Sequence, residues 1–318
     1  LYLNGRVYGP VVHLQSSLLK VRTPSMKTSV TLAFSMKGLP SIEKTVFDAH
    51  ILDLQSESME IDQILGHFSK KEKPILTPLV PDAKFKFQGN MLGTLFDFKA
   101  DGTLNSTVGD IVFDVALNSP GFNKGMKASG DISTSNLNLG DILNANIFGQ
   151  LTSRIKASVG LNHNGNKGLE LDITSLKIDQ LGVNNYNYSD IIAVGKYDNE
   201  IFDGRIISHD PNLNLLFQGV VSLSKIKQES IYDFYADIAF ADLKALNFVK
   251  GENPSQIKLK ALANINSDSN NNLIGNIDIN NITYWGDQEY NFGAVTLTSL
   301  FQNNDYNLNL TAPFIKVD

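Results

Sequence analysis

Apolar and polar residues alternate along most of the chain. In the run 110–118, Ile111, Phe113, Val115 and Leu117 share one parity. Successive strand side chains point to opposite sides, so these four line one face. From Asn212 onward the same parity carries Leu213, Leu215, Phe217, Val221 and Leu223. Tyr232, Phe234, Ala236, Ile238 and Phe240 form another stripe, and Ile257, Leu259, Ala261, Ala263 and Ile265 the next. Ile277 and Ile279 continue the pattern, followed by Tyr306, Leu308, Leu310, Ala312 and Phe314. The opposite parity carries mostly Asn, Asp, Lys, Ser and Thr. This predicts antiparallel sheet with one dry and one wet face.

Turn residues separate the stripes. Asp101-Gly102, Asn123-Lys124-Gly125, Asn164-Gly165-Asn166, Asp198-Asn199, His209-Asp210-Pro211-Asn212, Asp268–Asn272 and Asn303-Asn304 are the breaks. Asn, Asp and Gly tolerate the positive φ that tight hairpins need. The strands between them are long, about nine residues or roughly 30 Å each. Long strands with short turns make a meander, and nothing shows the helix–strand alternation of an α/β enzyme.

Three segments leave period 2 for helical spacing. They are 57–68 with Ile61, Ile64, Leu65 and Phe68; 138–148 with Ile142, Leu143 and Ile147; and 241–249 with Leu243, Leu246 and Val249. Asp62, Asp141 and Asp242 lie near their starts, where a carboxylate suits a helix N-terminus. The recurrence suggests units of several strands, each closed by a helical cap and stacked on its neighbours. The reading is one continuous elongated array over 1–318, with loose units 1–80, 81–149, 150–250 and 251–318. Pro74, Pro78 and Pro81 mark the best boundary. A sheet with one long apolar face must close into a barrel, pack as a sandwich or stay open as a groove. The pattern leaves these three alternatives open.

Composition narrows the classes. The chain has 318 residues, 42% of them hydrophobic and 19% charged, with net charge −6. That is enough apolar material for a core, and the acidic balance argues against nucleic-acid binding. There is no Cys, which excludes disulfides, thiolate metal sites and a cysteine nucleophile. The first residue is Leu1 and no apolar run approaches about 20 residues, the length of a membrane-spanning helix. We expect a piece of a longer protein.

Catalytic chemistry finds little support. His13, His50, His67, His163 and His209 show no paired ligand spacing, so a metal would need ligands converging from distant strands. His209 beside Asp210-Pro211 reads as a solvated hairpin turn. No Gly-x-Ser-x-Gly elbow or phosphate-cradling loop is present. Asp101, Asp110, Asp114, Asp131, Asp172 and Asp179 fall mostly on the wet parity, where a cross-strand carboxylate dyad is conceivable. Sugar platforms want Trp, and Trp285 is the single one. The expectation is no enzyme, no metal and no cofactor. The sequons at Asn105, Asn281 and Asn309 are what an Asn-rich chain yields by chance.

Several stretches carry a family likeness. They are 31–45 with its Gly38-Leu39-Pro40 turn, 85–94, 147–151, 182–191, 204–219 with His209-Asp210-Pro211-Asn212, and 241–247. On these the chain resembles the TamB family of Gram-negative envelope proteins, in the AsmA-like group and nearest its Bacteroidota form. The likeness runs over nearly the whole chain, and each motif is a turn or strand signature. It implies an all-β fold: an elongated, curled antiparallel β-sheet, a β-taco or half-open groove, with short capping helices. It implies a bridge that carries phospholipid between inner and outer membrane and supports outer-membrane biogenesis. The parent would be anchored in the inner membrane and cross the periplasm to an Omp85-type barrel, which it meets outside this chain.

Under that resemblance the acyl chains would lie on Ile111, Phe113, Val115, Leu117, Leu213, Leu215, Phe217, Val221, Tyr232, Phe234, Ile238, Leu259, Ile265, Ile277, Ile279, Leu308 and Leu310. The alternative is a structural or chaperone module that takes client strands by β-augmentation in outer-membrane protein assembly.

Overall fold

The computed structural model describes residues 1–68, 74, 76–121, 125–161, 169–222, 230–251, 253–267, 273–302, 305–313 and 315–317. The fold is all-β and antiparallel, as the alternation predicts, and the sheet is not closed into a barrel. The chain divides into two compact units, Leu1–Lys167 and Gly168–Asp318.

The first unit contains β1 (Tyr2–Gly5), β2 (His13–Arg22), β3 (Ser29–Lys37), β4 (Val46–Glu57), β5 (Lys84–Gly93), β6 (Asp97–Ser106), β7 (Asp110–Asn118), β8 (Met126–Asn138) and β9 (Phe148–Leu161). Each strand pairs antiparallel with the next in sequence. Helix α1 (Ser58–Phe68) joins β4 to β5 and α2 (Leu139–Leu143) joins β8 to β9. In a strict meander these two connections fall at the same end of the strands.

The second unit contains β10 (Leu169–Val183), β11 (Tyr186–Tyr188), β12 (Ile191–Asp198), β13 (Ile201–Asp210), β14 (Leu213–Ser222), β15 (Ile231–Asp242), β16 (Gln256–Ser267), β17 (Leu273–Trp285), β18 (Glu289–Gln302), β19 (Asp305–Ala312) and β20 (Ile315–Val317). It too is a meander; β10 pairs with both β11 and β12, and β12 onward pair in chain order.

The caps form for local reasons. The Asn138 side chain accepts the Asp141 N–H and so caps α2, while Asn144 ends it in the left-handed region at φ 49°. Asp62 on α1 accepts the N–H groups of Leu76 and Thr77 and the Thr77 hydroxyl, tying the helix to the returning chain.

The third expected helix is absent. Strand β15 runs on through Asp242, and the following residues make tight turns. The Asp242 carboxylate accepts the Lys244 and Ala245 N–H groups as an N-cap would, and the Leu246 N–H bonds the Asp242 carbonyl, so a single turn forms. Asn247 then leaves helical space at φ 63°.

Asp101-Gly102 is not a turn either. Both residues lie inside β6, and Gly102 faces Gly89 across the β5–β6 ladder. A Cβ on Gly102 would sit 2.5 Å from Phe87 Cε2. The Phe87 ring occupies the space a side chain would take, an aromatic covering a cross-strand glycine pair. The second unit repeats the device: Gly204 faces Gly195, and a Cβ on Gly204 would lie 2.6 Å from Phe202 Cζ.

The Asp198-Asn199 and Asp210-Pro211-Asn212 turns stand where the sequence puts them, closing the β12–β13 and β13–β14 hairpins. The expected turns at 123–124, 164–166, 268–272 and 303–304 lie outside the described residues, as do Leu223, Phe314 and His163.

Candidate functional site

The ladder registers place the predicted apolar residues on one face in each unit. On β7, Ile111, Phe113, Val115 and Leu117 face Leu104, Gly102, Ala100 and Phe98 of β6. Across β8 they face Thr134, Ile132, Gly130 and Ala128. In the second unit Leu215, Phe217 and Val221 pair with Ile238, Ala236 and Tyr232, and Leu213 pairs with Ala241. Tyr232, Phe234 and Ile238 pair with Ile265, Ala263 and Leu259. The face continues through Ile277 and Ile279 opposite Leu297 and Val295, then Leu308 and Leu310 opposite Ser299 and Leu297.

These side chains touch without being enclosed. The Phe217 and Phe234 rings lie 5.3 Å apart and Phe202 lies 6.4 Å from Phe217. Yet nearly every predicted position is only half-buried, and Leu308 is 53% exposed. Among the described residues the buried apolar side chains are Val80, Ala83, Ala193, Ala241, Leu246 and Ala263. Three of these are alanines on the face itself. Leu246, at 1% exposure, belongs to the turn segment between β15 and β16, and Val80 to the connection between α1 and β5. The large buried aliphatic side chains therefore lie in connections beyond the strand ends, and the larger side chains on the apolar face of each unit are only partly buried.

The face is wider than the sequence stripes suggest. In the first unit it includes Leu32 and Phe34 of β3, Phe47 and Ile51 of β4, and Phe85, Phe87 and Met91 of β5. β-Bulges hide this: register shifts between Ser16 and Leu19, and between Ile51 and Leu54, change the parity within one strand. An extra residue in one strand flips everything after it to the other sequence parity. In β4 the apolar face is Phe47, Ala49 and Ile51, then Leu54.

The opposite face is charged and paired in register. Lys156 lies 3.4 Å from Asp131, Lys196 3.8 Å from Asp172 and Lys260 2.9 Å from Asp237. The Lys260 ammonium holds the Asp237 carboxyl below the ordinary carboxylate value, against opposing desolvation. Asp179 meets Lys177 at 3.3 Å. Asp101, Asp114 and Asp131 come together as direct neighbours on β6, β7 and β8. Asn90 donates to Asp101 at 2.8 Å at one end of that row, and Lys156 closes the other. Among the described residues no group of three or more His, Asp or Glu is arranged to hold a metal ion. His209 is solvated and lies 3.6 Å from Asp190.

One polar cluster was not read from the sequence. Asp210 is 3% exposed at the end of β13, on the apolar parity. Its carboxylate accepts the Tyr186 hydroxyl, the Ser189 N–H and hydroxyl, and the Asn212 N–H. Desolvation opposes its charge, and these donors outweigh it, so the carboxyl titrates below its ordinary value. Burial, reinforced by Asp210, pushes the Tyr186 phenol up. The donor set answers a buried charge and fixes the strand end. In the first unit, Glu60 is buried and takes the Ser25 hydroxyl at 2.6 Å and that of Thr28 at 3.2 Å. Its carboxyl is lowered chiefly by the Ser25 bond.

No family model, curated protein or solved structure matches the chain. Among the described residues no helix is long and apolar enough to cross a membrane.

Proposed function

We propose that this chain is a non-enzymatic module of a bridge-like carrier that moves phospholipid between the two membranes of a Gram-negative envelope, across the periplasm. The observation that carries the reading is the apolar face: large aliphatic and aromatic side chains in register over many strands, in contact with one another yet not fully enclosed, backed by a charged wet face. The resemblance to the TamB family supplies the envelope setting and the Omp85-type outer-membrane partner.

The physics suits a carrier. Acyl chains replace water on the face, and each buried CH₂ contributes roughly 0.8 kcal/mol. A two-chain lipid is thereby held against escape to water. Neighbouring rows offer similar surfaces, so displacement along the face exchanges one apolar contact for another at little cost. Headgroups stay in water beyond the strand ends. No bond is made or broken, and no catalytic residue is required.

Native mass spectrometry with lipid extraction tests the proposal on the purified chain. Co-purified phospholipid, lost in Phe217→Asp while the far-ultraviolet spectrum is kept, is the expected result. A lipid-free, soluble monomer would overturn it and favour client-strand capture.

A further inference from the structure

We propose that the β10–β11 hairpin and the connection between β15 and β16 form a latched cover over one end of the second unit's apolar face, and that opening this latch controls lipid entry there. The latch stands on geometry; what it admits rests on the lipid reading above.

β11 pairs with β10 at Leu181–Val183, past the stretch Leu171–Ile178 that pairs with β12. The hairpin therefore projects beyond the start of β12. In the ladder order β12, β13 and β14 separate β10 from β15, four strand spacings or about 19 Å in a flat sheet. Yet the hairpin tip reaches the far side. The Asn184 side-chain amide donates to the Asn247 carbonyl at 3.2 Å, and the Asn247 amide donates to the Asn184 carbonyl at 3.0 Å. Between these points the Tyr186 hydroxyl donates to Asp210 and accepts from the Asn212 amide at 3.0 Å. The hairpin thus crosses the ends of the intervening strands and is pinned to the β13–β14 turn and to the β15–β16 connection.

Burial marks what lies beneath. Ser208, Asp210, Ala241, Leu246 and Ser255 all stand at this end, and each is at most 3% exposed. Further along the same face Leu215, Phe217 and Phe234 are half-buried. The bonds of the latch itself are on the surface: Asn184 and Asn247 are exposed, in left-handed backbone at φ 51° and 63°. Exposed hydrogen bonds between turns open at low cost, and segments that admit ligands are drawn from this low-stability end. The cover can part there without unfolding the ladder.

Hydrogen exchange and lipid loading on the whole chain test this. Asn184→Gly with Asn247→Gly deletes both amides and keeps the left-handed backbone. Asn184→Cys with Asn247→Cys introduces the chain's only two thiols, and oxidation locks the latch. Loading is followed as transfer of a fluorescent phosphatidylethanolamine from phosphatidylcholine vesicles. We expect the glycine pair to quicken exchange at 184–189 and 243–249 together, roughly tenfold for two lost hydrogen bonds, and to speed loading. The oxidised cysteine pair should slow both, and reductant should restore them. Exchange that quickens in only one segment would overturn the latch. Coupled exchange with loading unchanged in both variants would overturn the control of entry. No loading by any variant, the unmodified chain included, would overturn the lipid reading and the control of entry with it, while exchange still decides the latch.

Discussion

Phe87 and Phe113 stack with ring centroids 5.9 Å apart and planes within 1°, although β5 and β7 are not neighbours. Two strand spacings separate those strands, about 9.5 Å. The rings reach each other because Gly102, on the intervening β6, leaves the space between them empty. The apolar face is thus shaped by where side chains are missing as well as by where they stand.

This makes the two glycines of the Gly89–Gly102 pair unequal. A Cβ at Gly102 meets the Phe87 ring at 2.5 Å, which can swing, and the Gln88 backbone carbonyl at 2.7 Å, which must shift. A Cβ at Gly89 meets the Asp101 backbone carbonyl at 2.2 Å. Gly102→Ala should cost about 1–3 kcal/mol, the usual range for overpacking. Gly89→Ala should cost more. Urea denaturation of both variants checks the order.

Burial predicts an unusual ranking of core variants. Leu246→Ala removes an enclosed side chain and should cost about 2–5 kcal/mol. Ile279→Ala and Phe217→Ala act on the accessible face and should each cost less, because solvent already reaches them. In a closed sandwich the ranking would be reversed. Thermal unfolding of the three variants distinguishes the two architectures.

The acid limb of stability should depend on Asp210. Its folded carboxyl titrates below the unfolded one, so unfolding takes up protons and stability rises with pH there. The contribution is fully present above the ordinary carboxylate value, about 3.9. It is lost as pH falls through the lower folded value. Asp210→Ala should flatten this limb and cost about 1–3 kcal/mol at neutral pH, through the donors left unpaired. Denaturation measured from neutral pH down to pH 2 reads both effects.

The row Asp101–Asp114–Asp131 places like charges directly opposite each other on adjacent strands, which opposes pairing. Asp114→Lys should stabilise by about 0.2–1 kcal/mol, the scale of a cross-strand pair. The gain should shrink in high salt. Denaturation midpoints at two salt concentrations decide it.

The apolar face was legible wherever strands keep strict alternation, as in β7, and was misread at Phe240, which a bulge between Ile238 and Ala241 sets opposite Asn214. It was not legible where bulges shift parity, as between Ile51 and Leu54. Asp101-Gly102 misled because a glycine kept bare by an aromatic neighbour spells the same dipeptide as a hairpin turn. The 241–249 segment misled because Leu243, Leu246 and Val249 have helical spacing, while Asn247 turns left-handed after a single capped turn. The Asp210 cluster could not be seen, since Tyr186 and Ser189 reach it only after β11 folds back. Its one sequence signal is the Asp-Pro-Asn turn itself.

The central claim is that one face carries acyl chains, and site-specific photo-crosslinking in cells tests it most directly. A photoreactive phenylalanine analogue would replace Val115 or Leu215 on the apolar face, and Asp114 or Leu216 on the wet face. The account predicts phospholipid adducts from Val115 and Leu215 and none from their sequence neighbours. Equal labelling from both parities, or protein adducts alone, would contradict it.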